Sequence, residues 1–154
     1  MAHRFNFVKS VWQAFLASGG HDAQTLGGMT LANTANGQIT ATLPVTPQHL
    51  NRLGSVHGGL IATIIDVGGS LAISSKGYYT TGVSTDLNVS YIAGAKEGEE
   101  LNILGKVDKM GKTLAFTSVE IRVGERLVAV GRHTKYVSPI HSNPQNDKDL
   151  LKLK

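Results

Sequence analysis

The sequence predicts an α+β fold in which an antiparallel β-sheet wraps around one long helix. Residues 58–75 are apolar on nearly every side of a 3.6-residue wheel, a pattern typical of a buried helix. After Gly77 the hydrophobic period changes to that of β-strands, and four long strands follow. Because one apolar helix needs cover on all its faces, we expect the sheet to curve around it.

The elements before this helix are predicted by periodicity and turn residues. Residues 5–18 indicate an amphipathic helix that ends at Gly19-Gly20. Residues 28–46 predict a strand hairpin, with Asn36-Gly37 as its turn. Residues 47–56 are expected to form a loop that leads into the long helix.

The four later strands are predicted at residues 83–91, 101–108, 113–123 and 127–137. Met110-Gly111 and Gly124-Glu125 provide the two tight connections. Alternation in the first of these strands predicts two faces, one with Val83, Leu87, Val89 and Tyr91 and the other with Ser84, Asp86, Asn88 and Ser90.

The chain is expected to form one domain over residues 1–137 and a C-terminal tail over residues 138–154. The tail is rich in Pro and Asn and is predicted to be frayed. The alternative for its last residues is a short helix that contains Leu150, Leu151 and Leu153.

Composition restricts the class of protein. With 154 residues, 41% hydrophobic and 17% charged, the chain resembles an ordinary soluble globular protein. No apolar run approaches the roughly 18 residues of a membrane span, so no transmembrane segment is predicted. The absence of cysteine excludes disulfides, thiolate nucleophiles and cysteine-ligated metal sites.

A net charge of +4 is compatible with binding to nucleic acid. The lysines and arginines are scattered and accompany no nucleic-acid-binding motif, so no nucleic acid is expected. A small polyanionic ligand accounts for the same bias with fewer charges. The first acid is Asp22, so the N-terminus suits either a mitochondrial presequence or a packed helix, and the predicted location is cytoplasmic or mitochondrial.

The start of the long helix carries the main chemical signal. His57-Gly58-Gly59 leaves backbone N–H groups free to bind a partly negative atom. Asp66 is a lone acid among apolar residues, and a carboxylate in such surroundings costs several kcal/mol, very roughly, unless it is paired or used. A helix start that binds anions and an isolated carboxylate suggest a site for attack on a carbonyl group.

The spacing of these residues predicts an assembly. Eight residues of helix separate Gly58 from Asp66, a distance of about 12 Å. The two residues are therefore too far apart to act on one carbonyl from one chain. If both are catalytic, the site lies across a dimer interface.

Five segments occur in a characteristic order: residues 51–59 (Asn-Arg-Leu-Gly-Ser-Val-His-Gly-Gly), Asp66, residues 82–88 (Gly-Val-Ser-Thr-Asp-Leu-Asn), residues 111–116 (Gly-Lys-Thr-Leu-Ala-Phe) and residues 131–135 (Gly-Arg-His-Thr-Lys). Together they resemble the hotdog-fold thioesterases of the PaaI-like branch, over about residues 5–137. The resemblance implies a six-stranded antiparallel sheet, dimers that assemble into tetramers, and hydrolysis of fatty acyl-CoA without a metal or an organic cofactor.

If the protein hydrolyses a thioester, five residues have expected roles in the reaction. The Gly58 N–H polarises the carbonyl, and Asp66 is a general base or, as the alternative, a nucleophile. Ser84 could bind the water or the acid, or simply lie on a solvated strand face. Asn51 could hold the water or form a turn, and His57 could donate to the thioester or cap the helix.

The phosphates of CoA require positive charge near the site. The candidates are Lys96, Lys112, Arg132 and Lys135, each of which could equally be a solvated surface charge. By resemblance, residues 91–96 and 111–116 line the nucleotide side, which adds Tyr91, Gly111, Thr113 and Phe116 as substrate-binding candidates.

The same sequence disfavours other catalytic chemistries. A Ser-His-Asp triad is disfavoured because no Gly-x-Ser-x-Gly elbow occurs, and zinc is disfavoured because no HExxH spacing occurs. The alternative from another class is an acyl-CoA-binding protein without turnover, against which the presence of Asp66 argues. A hydratase would need a histidine about five residues from the acid, and Asp66 has none.

Overall fold

The computed structural model describes residues 1–153 and shows six antiparallel strands curved around a central helix. The order of the strands in the sheet is β1-β2-β4-β5-β6-β3. The helices are α1 (Ala2–Ala17), α2 (His21–Leu26), α3 (Gly58–Ser74) and α4 (Lys148–Lys152). The strands are β1 (Thr30–Ala35), β2 (Gln38–Pro44), β3 (Val83–Tyr91), β4 (Glu100–Met110), β5 (Leu114–Val123) and β6 (Arg126–Tyr136). The predicted α+β class is thereby confirmed.

Two segments near the chain ends differ from expectation. The sequence analysis missed α2, because this six-residue helix buries only Leu26 and so has no apolar periodicity. The tail was expected to be frayed, but Ile140 and Leu150 are each only 3% exposed. The alternative of a terminal helix is the one the structure shows, with Asp147 as the N-cap of α4. Lys154, the end of the expected tail, lies outside the described residues.

One stripe of α3 is left uncovered by the rest of the chain. The inner face of the sheet and α1 cover most of the helix, but Gly59, Ala62, Thr63 and Asp66 remain half-buried or exposed. The side chain of Asp66 is 47% exposed, so the expectation of a fully buried acid is wrong for the single chain. Although α3 is strongly apolar, no helix within residues 1–153 is long and apolar enough to cross a membrane.

Glycines bring α3 unusually close to the sheet. A Cβ atom added at Gly105 of β4 would lie 2.5 Å from the carbonyl oxygen of Gly68 in α3. A Cβ atom at Gly131 of β6 would overlap the side chain of Ile65, the residue next to Asp66. The backbone of the helix therefore packs almost directly on the backbone of the sheet, which fixes the height of Asp66 above β6.

A β-bulge at Thr85 changes the faces predicted for β3. Ser84 pairs with Lys135 and Asp86 pairs with Thr134, so Thr85 is the extra residue. Ser84 therefore lies on the face toward α3 together with Leu87 and Val89, whereas Val83 is 62% exposed. The predicted alternation is wrong for these two residues, because the bulge reverses the parity of the strand.

The two edges of the sheet are β1 and β3. Each carries a register shift, between Leu31 and Asn33 in β1 and between Ser84 and Asp86 in β3. Along β3 and just after it, Tyr91 and Ile92 are 59% and 53% exposed. An edge strand with apolar side chains next to the open stripe of α3 is the kind of surface that a second chain covers.

The close approach of α3 to β4 predicts a large cost for a single methyl group. We expect Gly105→Ala to lower the free energy of unfolding by about 2 kcal/mol, because the Gly68 carbonyl is backbone and cannot move aside. Urea denaturation followed by the fluorescence of Trp12, the single tryptophan, measures this. Gly28→Ala is the matched control, since its Cβ would meet only a side-chain methyl at 3.7 Å. Equal stabilities of the two variants would contradict the prediction.

The cap of α4 predicts a pH-dependent attachment of the tail. Burial raises the pKa of Asp147, but the Leu150 and Asp149 N–H groups and His3 together hold it below its usual value of 3.8. The stabilisation is therefore complete above that value and is lost as the pH falls through the lowered pKa. We expect Asp147→Ala to reduce the amide-exchange protection of Leu151 about fivefold at pH 7, and progressively less in acid. Asp149→Ala, at a side chain that is 84% exposed, should change the protection little.

Candidate active site

The first turn of α3 presents an unused backbone donor. His57 is the N-cap, and its Nδ1 accepts a hydrogen bond of 2.8 Å from the Gly59 N–H. The Gly58 N–H takes part in no hydrogen bond within residues 1–153. When Nδ1 of an imidazole accepts in this way, the proton of the neutral ring is on Nε2, which is then a donor. The helix dipole adds partial positive charge at the same point.

Tyr91 covers the start of α3. Its hydroxyl donates to the carbonyl oxygen of Gly58 at 3.1 Å, and a Cβ atom at Gly58 would lie 3.4 Å from the ring. Gly58 and Tyr91 line a cavity of about 330 Å³ together with Ser55 and Ile92. The exposed Lys96 pairs with Ser55 and so lies at the rim of this cavity. The structure thus places Gly58, Tyr91 and Lys96 near one another, and the predicted roles of Tyr91 and Lys96 in binding CoA stay a prediction.

Asn51 shapes the loop that precedes α3. Its side-chain oxygen accepts from the Leu53 N–H at 2.9 Å and from the Ser55 N–H at 3.2 Å. This is the turn-forming role that the sequence analysis held as the alternative. The amide nitrogen has no acceptor among residues 1–153, so one end of the side chain is still able to hold a water molecule.

Asp66 belongs to a polar row that crosses from α3 to β3. His133 of β6 is fully buried, and its Nε2 lies 2.7 Å from the hydroxyl of Ser84. Its Nδ1 lies 3.8 Å from the carboxylate of Asp66. The three side chains come from three different elements, and only Asp66 and Ser84 are open to a substrate.

Lys135 is also part of the interior behind Asp66. It is 4% exposed, and its ammonium donates to the hydroxyls of Ser70 at 2.6 Å and Thr81 at 3.3 Å. Burial lowers the pKa of Lys135, and the negative charges of Asp66 and Asp22 oppose this shift. Lys135 was expected at the surface as a contact for CoA phosphate. That expectation is wrong, because the side chain of Lys135 points from β6 toward α3 and is buried.

Asp22 is a second acid near the site. It lies half-buried in the first turn of α2, which His21 ties to Thr63 of α3 through a 2.9 Å hydrogen bond. Burial and the charge of Asp66 raise the pKa of Asp22, while His21 and Lys135 oppose the shift. Within residues 1–153 the histidines and acids form no cluster of three that could hold a metal ion.

The remaining substrate-binding candidates lie at the other end of α3. Gly111, Lys112, Thr113 and Phe116 belong to the exposed β4–β5 hairpin. Ile73, near the end of α3, packs in the cluster that contains Met110 and Ala115 on either side of this hairpin. Arg132 lies on the outer face of the sheet, beside Lys106 and Glu120. One chain therefore does not bring its predicted CoA contacts together, because they lie near both ends of α3 and, for Arg132, on the outer face of the sheet.

His133 and Asp22 lie near Asp66 but were not predicted from the sequence as candidates. His133 stood within the quoted segment 131–135, and its position two residues before Lys135 placed both on one face of a strand. Whether that face points toward α3 or toward the outer side depends on how the sheet is assembled, so it could not be predicted from the sequence. Asp22 had no signal, because α2 itself was not recognised.

A curved six-stranded sheet around a helix, with a free N–H at the helix start and an acid two turns later, defines a protein of the hotdog thioesterase class. Comparison with known proteins agrees. Residues 53–130 match the family model described as Thioesterase superfamily, and the chain belongs to this family. It is 40% identical over 116 residues to human acyl-coenzyme A thioesterase 13, covering 74% of this chain and 83% of that protein.

Solved structures agree as well. The crystal structure of zebrafish thioesterase superfamily member 2 superposes with a TM-score of 0.78 at 38% identity, covering 86% of this chain and 96% of that one. A hypothetical thioesterase protein from Streptococcus pneumoniae, crystallised with coenzyme A, has a TM-score of 0.66 at 27% identity, covering 70% of this chain and 86% of that one. The resemblance to hotdog-fold thioesterases is confirmed.

Proposed function

We propose that the protein hydrolyses medium- and long-chain fatty acyl-CoA to the free fatty acid and CoA. The observation that carries the proposal is the pair of groups on α3: a Gly58 N–H without an acceptor and a half-exposed Asp66 carboxylate. The similarity to human acyl-coenzyme A thioesterase 13 and to a thioesterase protein crystallised with coenzyme A supports acyl-CoA as the substrate.

In the proposed mechanism Asp66 accepts a proton from a bound water molecule as the water oxygen attacks the thioester carbon. The carbonyl oxygen becomes an oxyanion, which the Gly58 N–H and the dipole of α3 stabilise, with His57 Nε2–H as a second donor. Collapse of this intermediate breaks the C–S bond. The proton held by Asp66 passes to the leaving thiolate, which gives the free acid and CoA. Ser84 binds the water, and Asn51 helps to hold it.

The reacting groups come from two chains in this proposal. Eight residues of helix place Asp66 about 12 Å from Gly58 of the same chain. A second copy that pairs along β3, with its α3 running in the opposite direction, brings Gly58 of one chain to Asp66 of the other. The same antiparallel pairing brings Tyr91 and Lys96 of one chain toward the Gly111–Phe116 hairpin of the other. CoA is then bound by Tyr91, Lys96, Gly111, Lys112, Thr113 and Phe116.

Two earlier candidates change their place in this scheme. Lys135 is buried inside the sheet, where its ammonium donates to Ser70 and Thr81, and it does not contact the phosphates. Arg132 lies on the outer face of the sheet and reaches CoA only if a further dimer packs there, as in the tetramer that we propose. The cytoplasmic or mitochondrial location stays a prediction.

A test of the base is the release of CoA by the wild type and by Asp66→Asn, over acyl-CoAs of graded chain length. We expect kcat to fall 10²- to 10⁴-fold in the variant, because the water loses its proton acceptor, while acyl-CoA still binds. The chain has no cysteine, so a thiol reagent reports CoA alone. Asp149→Asn, far from the site on α4, is the control for an aspartate-to-asparagine change. Equally negligible release from wild type and Asp66→Asn, with binding intact, would instead identify an acyl-CoA-binding protein.

A test of the shared site replaces Gly58 by proline, which has no backbone N–H. Proline is suited to the first position of a helix, and His57 already has the φ of −65° and ψ of 134° that a residue before proline prefers. We expect Gly58→Pro to lower kcat 10²- to 10³-fold relative to Gly58→Ala, which adds a Cβ but keeps the N–H. Co-refolding Gly58→Pro with Asp66→Asn should restore about a quarter of the wild-type activity, because half the dimers are mixed and each holds one intact site. No recovery in proven mixed dimers would place the whole site in one chain.

A further inference from the structure

His133 has a position that the proposed mechanism does not yet use. It is fully buried, and each ring nitrogen faces a residue with a proposed role in hydrolysis. Nε2 is 2.7 Å from Ser84 Oγ, and Nδ1 is 3.8 Å from Asp66 Oδ1. Nδ1 is buried and has no hydrogen-bond partner within residues 1–153. A buried polar nitrogen without a partner is uncommon and requires an explanation.

We infer that His133 is a positioning residue that makes Ser84 a hydrogen-bond acceptor for the attacking water, with Asp66 as the acceptor of the second water proton. The inference rests on the proposed thioesterase function. It assigns His133 no contact with the substrate, because the ring is enclosed between β3 and α3.

The neighbours of His133 determine which nitrogen carries the proton. In a neutral imidazole one nitrogen is a donor and the other an acceptor. Nδ1 faces an acid that has only acceptor atoms when ionised, so the proton belongs on Nδ1. Nε2 is then an acceptor, and the 2.7 Å contact is a bond that the Ser84 hydroxyl donates. The half-exposed carboxylate of Asp66 can shorten the 3.8 Å separation by rotation.

The charged groups around the ring are consistent with a neutral imidazole. The charged groups that act on the ring are Asp66 of α3, the exposed Asp86 of β3 and Lys135 of β6. Burial lowers the pKa of His133, and Lys135 acts in the same direction, whereas Asp66 and Asp86 oppose the shift. From β5, Thr117 contributes an uncharged hydroxyl, which donates to the backbone carbonyl of His133 at 2.8 Å.

The consequence concerns the direction in which the water points. The hydroxyl proton of Ser84 is directed to Nε2, so its oxygen presents only lone pairs to the site. Ser84 and Asp66 are then two acceptors for one water molecule, and each binds one of its protons. The lone pair of the water oxygen is left free to approach the thioester carbon.

The first test is independent of turnover. The ¹⁵N resonances of His133 in the uniformly labelled full-length protein report which ring nitrogen is protonated. We expect a neutral ring at pH 7 with a protonated Nδ1 and an unprotonated Nε2, and a shift of the Nε2 resonance in Ser84→Ala. A cationic ring, or a proton on Nε2, would overturn the inference even if the protein is an active thioesterase. If the wild type releases no CoA, the proposed function fails and this measurement still decides the state of His133.

The second test is a double-mutant cycle on kcat, measured for folded protein. We expect His133→Leu to lower kcat about tenfold or more with a small change in KM, and His133→Gln, which keeps a polar atom toward Ser84, to lose less. In a Ser84→Ala background His133→Leu should change kcat less than about threefold, since both act through one bond. If the effects of Ser84→Ala and His133→Leu on kcat instead multiply independently, the role of His133 is purely structural and the inference fails. An acyl group found on Ser84 by mass spectrometry would make Ser84 a nucleophile and overturn its role as acceptor. If His133→Leu does not fold, the kcat of His133→Gln and the ¹⁵N spectrum of the wild type test the positioning role of His133.

Discussion

The close contact between α3 and the inner face of the sheet is the constraint on which the structure depends. The Gly68 carbonyl lies where a side chain at position 105 would be, and Ile65 lies where one at position 131 would be. A helix held at this distance has no freedom to rotate or slide without backbone collision. The backbone at Asp66 is therefore held at a fixed height above β6, which keeps its carboxylate near His133.

The same contact explains the distribution of charge around the site. Because α3 lies so close to β6, the inward residues His133 and Lys135 cannot reach solvent, and each must find a partner inside. Lys135 binds the hydroxyls of Ser70 and Thr81, and His133 binds Ser84. The interior side of Asp66 is thus lined by donors, while its other side is open. Asp66 therefore has buried polar groups on one side and solvent on the other.

Much of the fold could be predicted because its signals are periodic. The apolar wheel of α3, the alternation in the later strands and the turn at Asn36-Gly37 all correspond to elements of the structure. Asp66 and Gly58 could be proposed as site residues because an acid in an apolar helix and glycines at its start are local anomalies in the sequence. Thr85 leaves no such signal, so the bulge that turns Ser84 inward was not predicted. The inward direction of Lys135 was missed for a related reason, since alternation gives two faces but does not say which one is covered.

The interruptions in both edge strands have a consequence for growth of the sheet. An uninterrupted edge offers hydrogen bonds to any extended chain, and two such edges on one molecule allow stacking without end. Here the irregularities near Ala32 in β1 and at Thr85 in β3 limit the regular ladder on each side to a few residues. Such edges offer an added strand fewer consecutive hydrogen bonds than regular edges would, so the bulge that turns Ser84 inward also makes the β3 edge a poorer template for unlimited sheet growth.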